Sequence, residues 1–161
     1  MRDYKYYSTK TYGHEEGLSC MFRQPLATHS HCSLLHGYAL SFSFKFGCNH
    51  LDDKNWVVDF GDLKDLKAWL KDSFDHKHAV AKDDPEKELL VSLGKKGIAK
   101  IVEVDQTSCE GIAAFLYEYI NTIFLKEYGE QHRIWCSKVE VREKESNMAM
   151  KVGHRSDNEF E

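Results

Sequence analysis

The longest regular alternation of apolar and polar residues in this chain runs from residue 36 to residue 46. Small or polar residues occupy its odd positions. The even positions carry the larger side chains, namely His36, Tyr38, Leu40, Phe42, Phe44 and Phe46. Because successive side chains of a strand point to opposite faces, the pattern predicts a long antiparallel strand with one buried face.

Further strands are predicted on both sides of this stretch. The tyrosine-rich N-terminal segment and LSCMF, residues 18–22, predict a first strand that ends near Pro25. The segment MAMKV, residues 148–152, predicts the last strand. Between them, RIWCSKVEVRE alternates so that five residues would share one face: Trp135, Ser137, Val139, Val141 and Glu143.

Two long helices are predicted between the strands. The first follows Asp59 as its N-cap and has apolar residues at helical spacing at positions 63, 66, 70 and 74. The second begins at TSCE, where Thr107 and Glu110 have the spacing of a capping box, and ends at Gly129. DPEKELLVSLGKKG predicts a short helix and IAKIVEV a short strand. The chain is therefore predicted to be one α+β domain, residues 1–161, whose single sheet has both long helices on one face.

Composition narrows the possible partners and the compartment. The 161 residues carry a net charge of −4, so no basic surface for nucleic acid is expected. No apolar run approaches the length of a membrane span, and no membrane partner is expected. The five cysteines are widely spaced and form no C-x-x-C pair, which argues against a disulfide framework and favours a reducing cytoplasm.

Candidate chemistry concentrates in THSHCSLLHG, residues 28–37, which holds His29, His31, Cys32 and His36. His36 and residue 38 would face the same side of the predicted strand, with Cys32 in the loop that leads into it. A polar surface loop with chance histidines is the alternative interpretation.

Two further places carry carboxylates. Asp75 precedes His76 in FDHKH, where a carboxylate can fix the tautomer of a histidine, or where a helix end simply favours a cation. Glu143 ends a predicted strand on its apolar face, as an anchor for a ligand or as half of a salt bridge.

These segments together resemble a known family. CSLLHGYALSFSF, NWVVDFGDLK, FDHKH, TSCEGIAAFLYEYI and VEVREKESNMAMKV occur in the order typical of 6-pyruvoyltetrahydropterin and 6-carboxytetrahydropterin synthases, between about Leu18 and Val152. The resemblance implies the tunnelling fold, in which a four-stranded antiparallel sheet backed by two helices joins its neighbours into an intersubunit β-barrel. It also implies a homohexamer built from two trimers, with active sites at subunit interfaces.

The resemblance implies roles for individual residues. The substrate would be a small pterin, 7,8-dihydroneopterin triphosphate, whose side chain is bound by zinc. Cys32 matches the cysteine that removes or relays a carbon-bound proton. Asp75 and His76 match the pair that activates this thiol across an interface. Glu143 matches the residue that anchors the pterin ring by charge-assisted hydrogen bonds.

The sequence departs from the family at the zinc ligands. His36 matches the first histidine of the family's His–Gly–His, but Tyr38 replaces the second, and Phe22 stands where the first-strand histidine is expected. If zinc is bound, we expect His36 as a ligand, with His31 a better substitute than His29. The alternative is that the metal site is remodelled or lost.

The expected function is that of a 6-carboxy-5,6,7,8-tetrahydropterin synthase-like lyase on the route to queuosine and other 7-deazaguanines. One alternative is a 6-pyruvoyltetrahydropterin synthase or a related enzyme acting on a pterin side chain. The other is a tunnelling-fold protein that binds pterin without catalysis. Retention of Cys32, Asp75, His76 and Glu143 argues against the last alternative.

Overall fold

A computed structural model describes residues 3–155 of the chain. The strands are β1 (Tyr6–Tyr12), β2 (Leu18–Phe22), β3 (His36–Cys48), β4 (Lys77–Ala81), β5 (Lys100–Val104), β6 (Trp135–Lys144) and β7 (Asn147–Val152). The helices are α1 (Lys64–Phe74), α2 (Lys87–Lys95), α3 (Cys109–Tyr119) and α4 (Leu125–Glu127), with a π-helical segment, Ile120–Phe124, joining the last two. None of the helices in this part of the chain is long and apolar enough to cross a membrane.

The sheet is larger and more mixed than predicted. Its seven strands follow the order β5-β4-β2-β3-β6-β7, and β1 pairs with the second half of β3. β2 pairs with β4, and β4 with β5, in parallel. The predicted strands pair antiparallel as expected, but the predicted first strand is two strands, β1 and β2, and β4 and β5 extend the sheet in parallel, so the prediction of four strands was wrong in number. It missed β4 because KHAVA is too short and too polar at its start to show an alternating pattern.

The predicted buried face of β3 is confirmed. Leu40, Phe42, Phe44 and Phe46 are fully buried, and they join one core with residues of both α1 and α3. Both long helices therefore pack on the side to which the large β3 side chains point, which confirms the α+β architecture. The smaller helix α2 packs against β4 and β5.

The strict alternation predicted for β6 was wrong at one point. The pairing of β3 with β6 shifts between Lys45 and Phe46, which leaves Ser137 as the extra residue of a β-bulge and buries Cys136. The buried Asn121 side chain compensates for this irregularity. Its amide nitrogen donates to the Cys136 carbonyl at 3.0 Å, and its oxygen accepts from the Cys136 amide at 2.8 Å.

Both predicted helix caps were also wrong. α3 is capped by Ser108, whose hydroxyl accepts from the Gly111 amide at 3.0 Å. Asp59 accepts from the Gly61 amide at 2.8 Å in a turn, and α1 begins only at Lys64. A serine or aspartate next to other polar residues marks the neighbourhood of a helix start but does not fix the residue.

Candidate active site

Cys32 lies in a short 3₁₀ turn, His31–Ser33, that precedes β3. The Ser30 hydroxyl accepts from the Cys32 amide at 3.2 Å, and the Cys32 carbonyl accepts from the Gln24 amide at 2.8 Å. Cys32 is partly exposed and forms no disulfide. The loop therefore presents this thiol from a backbone that is hydrogen-bonded on both sides.

A buried ion pair holds the same loop against the sheet. The Arg23 guanidinium donates to both carboxylate oxygens of Asp84, at 2.6 and 2.9 Å, and to the Ser33 carbonyl at 3.4 Å. Hydrogen bonding from Arg23 is the main cause that lowers the pKa of Asp84. The Thr107 hydroxyl donates to the Arg23 carbonyl, which ties the end of β2 to the residues just before α3. Arg23 thus connects the loop of Cys32 to the end of β2, to Asp84 before α2 and to Thr107 before α3.

The positions that would hold zinc carry three different rings. Phe22 and His36 are direct partners in the antiparallel β2–β3 pair, and Tyr38 follows on the same face. Ring centroids lie 5.2 Å apart for Phe22 and His36, 5.4 Å for His36 and Tyr38, and 6.0 Å for Phe22 and Tyr38. We call these three residues the ring cluster.

Only one side chain of the ring cluster, the imidazole of His36, can bind zinc in its ordinary protonation state. His36 Nδ1 donates to the Leu34 carbonyl at 2.7 Å, which leaves the lone pair on Nε2. Phe22 is 1% exposed and has no donor atom. Among residues 3–155 no group of three His, Cys, Asp or Glu side chains is placed to hold a metal ion, and the predicted ligand His31 is exposed. These residues do not fit the three-ligand zinc site that the resemblance implies.

Glu143 lies near the end of β6, which pairs with β3, the strand that carries Tyr38. Its Oε1 accepts from the side-chain amide nitrogen of Asn147 at 2.8 Å, and its Oε2 is 4.0 Å from the Cys109 sulfur. Burial, followed by the negative charge of Glu143, raises the pKa of Cys109 to about 12, so this thiol stays neutral. Burial is also the main cause that raises the pKa of Tyr38, with contributions from Glu143, Cys32 and Cys109. Burial and the negative charge of Glu143 therefore both favour the neutral form of Tyr38.

Asp75 and His76 form a pair beside the start of β2. Asp75 Oδ1 is 2.8 Å from His76 Nδ1 and accepts from the Ser19 amide at 3.2 Å. Burial alone would raise the pKa of Asp75, but the hydrogen bonds from His76 and Ser19 outweigh it and lower the pKa. The His76 side chain is 83% exposed and has a positive φ of 56°. Asp75 thus holds an imidazole that points away from its own subunit's core.

Sequence patterns do not point to Arg23, Asp84 or Cys109. Arg23 and Asp84 are 61 positions apart, and Asp84 precedes a proline at a predicted helix start, where an aspartate is expected anyway. Cys109 lies inside a capping segment. These residues matter because strand pairing brings distant segments together, which their spacing does not reveal.

Known proteins resemble this chain in sequence. A family model described as 6-pyruvoyl tetrahydropterin synthase matches residues 12–153. A 6-carboxy-5,6,7,8-tetrahydropterin synthase from Rickettsia conorii is 38% identical over 56 residues, which cover 34% of this chain and 41% of that protein. The same enzyme from Rickettsia felis is 36% identical over an equal length. The match thus spans less than half the length of these relatives.

Solved structures resemble it in fold. An uncharacterized protein from Wolinella succinogenes superposes with a TM-score of 0.72 at 19% identity, covering 92% of this chain and 98% of that chain. The 6-pyruvoyl tetrahydropterin synthase of Plasmodium falciparum superposes with a TM-score of 0.62 at 15% identity, covering 92% and 98%. The expected tunnelling fold is thereby confirmed for the protomer.

Proposed function

The chain belongs to the 6-pyruvoyl tetrahydropterin synthase family, and from this premise we propose that it is a lyase that acts on the side chain of a dihydropterin. The substrate we propose is 7,8-dihydroneopterin triphosphate, and the product is 6-carboxy-5,6,7,8-tetrahydropterin, a precursor of queuosine and other 7-deazaguanines. The observation that carries the proposal is that Cys32, in the turn just before β3, and Glu143, near the end of β6, stand on two paired strands of one sheet.

Glu143 would bind the pterin ring. Each oxygen of a carboxylate has two lone pairs, so the hydrogen bond from Asn147 leaves Glu143 able to accept from a ring N–H and an adjacent amino group. Such a charge-assisted pair fixes the orientation of the flat ring. The pterin side chain would then extend toward Cys32.

Cys32 would remove a carbon-bound proton from the pterin side chain. The thiolate is the base, and an ordinary thiol, with a pKa of about 8.5, is mostly protonated at neutral pH. An imidazole held by a carboxylate can take the proton from such a thiol. His76 is so held but is exposed on its own subunit, so we propose that it reaches the Cys32 of a neighbouring subunit.

This division of labour requires an oligomer, and we propose a homohexamer built from two trimers. Two features support it. β1 pairs only with β3 and β7 only with β6, so each leaves one edge open among the described strands. β7 also exposes Met148, Met150 and Val152. A single protomer by light scattering at micromolar concentration would contradict both the barrel and the shared site.

The lyase reaction is tested by incubating the purified protein with 7,8-dihydroneopterin triphosphate and identifying the products by mass. Release of acetaldehyde with a 6-carboxytetrahydropterin is the expected result. A 6-pyruvoyl product would assign the alternative synthase reaction instead.

A second candidate function is pterin binding without turnover. Phe22 and Tyr38 favour it, because they take the places of two residues that the family resemblance assigns to the metal. Tight binding of the pterin with no product in the same assay would select this candidate.

A further inference from the structure

The ring cluster of Phe22, His36 and Tyr38 occupies the position where the resemblance implies a zinc ion. We infer that this cluster does not bind zinc and instead forms a metal-free face of the proposed pterin site, which presents one imidazole and one phenol to the substrate. The inference deepens the proposed function, because it concerns the same pocket.

The donor set is the first argument. A zinc ion in a catalytic site takes three protein ligands and keeps one open position. The ring cluster offers the Nε2 of His36, a phenyl ring and a phenol. A phenol binds zinc well only after losing its proton, and the ordinary pKa of about 10 makes this unfavourable beside a neutral imidazole. One ligand out of three does not hold the metal.

Packing is the second argument. Phe22 belongs to the hydrophobic core and is 1% exposed. Its ring lies against both His36 and Tyr38, so the volume beside the imidazole is filled by carbon atoms rather than open to an ion. At Phe22 the hydrophobic core therefore extends into the position where the resemblance implies a zinc ligand.

The loop provides no replacement ligand. His29 and His31 are both exposed, and the residues around Cys32 are fixed by a hydrogen bond to the Ser30 hydroxyl and by hydrogen bonds from Gln24 and Arg23. No three metal-binding side chains converge anywhere in the part of the chain that the structure describes. The expected substitute His31 would require the loop to leave these hydrogen bonds.

The backbone would still place three ligands correctly. Positions 22 and 36 are opposite each other in the β2–β3 pair, and position 38 is next on the same face. Paired residues of this kind have Cβ atoms about 5 Å apart, which suits three imidazoles around one ion. Introducing histidines with Phe22→His and Tyr38→His should therefore create a zinc site from a cluster that lacks one.

The test measures zinc and needs no substrate, so it can fail independently of the proposed activity. Untagged wild type, His36→Ala, Phe22→His/Tyr38→His and the last combined with His36→Ala are loaded with zinc and dialysed against a weak chelator. Bound zinc is counted by elemental analysis, and Co²⁺ is substituted to detect tetrahedral geometry by its visible absorption.

We expect wild type to retain less than about a tenth of an equivalent and the double variant about one, lost again in the triple variant. Zinc held equally by wild type and His36→Ala would lie elsewhere and would leave the cluster metal-free as inferred. About one equivalent in wild type that disappears in His36→Ala would overturn the inference. That comparison decides the question even if the double variant does not fold.

Discussion

The two sides of the candidate site differ in what they keep of the family's polar groups. On the pterin side, Glu143 is present at the expected position and holds Asn147 and Cys109 nearby. On the metal side, only His36 is present, between Phe22 and Tyr38. Glu143 stands at the rim of the sheet, where a carboxylate keeps its solvent, whereas position 22 is in the core. Position 22 is buried, so an aromatic ring packs there as part of the hydrophobic core.

The largest expected effect comes from removing the thiol of Cys32, the proposed base. In Cys32→Ala we expect turnover to fall about 1,000-fold, because general base catalysis typically supplies that much. Pterin binding should stay within about threefold, since Glu143 is intact. Single-turnover kinetics and a fluorescence titration measure the two quantities. His29→Ala, an exposed histidine of the same loop, is the control, and full activity in Cys32→Ala would exclude the family mechanism.

Truncation of Phe22 tests whether its ring contributes to the hydrophobic core. Phe22→Ala should lower the free energy of unfolding by about 3–4 kcal/mol, because it leaves a cavity among β2, β3 and the helices. Tyr38→Phe keeps the ring and should change stability by less than about 1 kcal/mol. Urea unfolding with an unchanged slope gives both values. A loss below about 1 kcal/mol in Phe22→Ala would show that the ring does not serve the core.

Glu143 tests the pterin side. Glu143→Gln should weaken pterin binding by about 2 kcal/mol, or about 30-fold, because it removes the charge from a paired hydrogen bond. Glu145→Gln is the matched control, since that side chain lies on the same hairpin and is 91% exposed. Equal affinities for the two variants, measured by calorimetry, would remove Glu143 from the anchor role.

The smallest expected effect concerns a buried histidine, His78, close to an exposed one. His78 lies two residues after the exposed His76, is 2% exposed and has no hydrogen-bond partner for either ring nitrogen among the described residues. Burial lowers the pKa of His78, although Asp84 opposes the shift. The unfolded chain therefore takes up this proton at higher pH than the folded one, and stability should fall as pH drops below about 6.5.

Replacing His78 should remove this dependence. We expect His78→Leu to be more stable by about 1 kcal/mol, because it eliminates a buried polar group without a partner. Its free energy of unfolding should also change less than that of wild type between pH 7.5 and pH 5. His29→Leu, at an exposed ring in a loop, is the control. A steeper pH dependence in His78→Leu would show that His78 is protonated in the folded state.

The predictable parts of the molecule are those that depend on local periodicity. The buried face of β3 and the apolar stripe of α1 follow directly from residue spacing, and both are confirmed. IAKIVEV predicts β5 correctly, but β4 is too short to show a pattern, and neither its parallel pairing with β5 nor the bulge at Ser137, which Asn121 compensates, has a local signature. The Arg23–Asp84 pair is likewise a product of tertiary structure.

For the candidate site, the residues themselves can be predicted from the sequence, whereas their packing cannot. Cys32, Asp75, His76, His36 and Glu143 are recognisable because each stands in a segment that resembles the family. What the two substitutions do to the pocket depends on packing around Phe22, which sequence spacing does not describe.

The most direct test of the central claim is a titration of neopterin into chelator-stripped protein, repeated after addition of zinc and followed by pterin fluorescence. We expect binding in both cases, with dissociation constants equal within about twofold, because Glu143 would anchor the pterin ring and the ring cluster would bind no metal. Binding that appears only with zinc and disappears in His36→Ala would contradict it, as would no binding in either form.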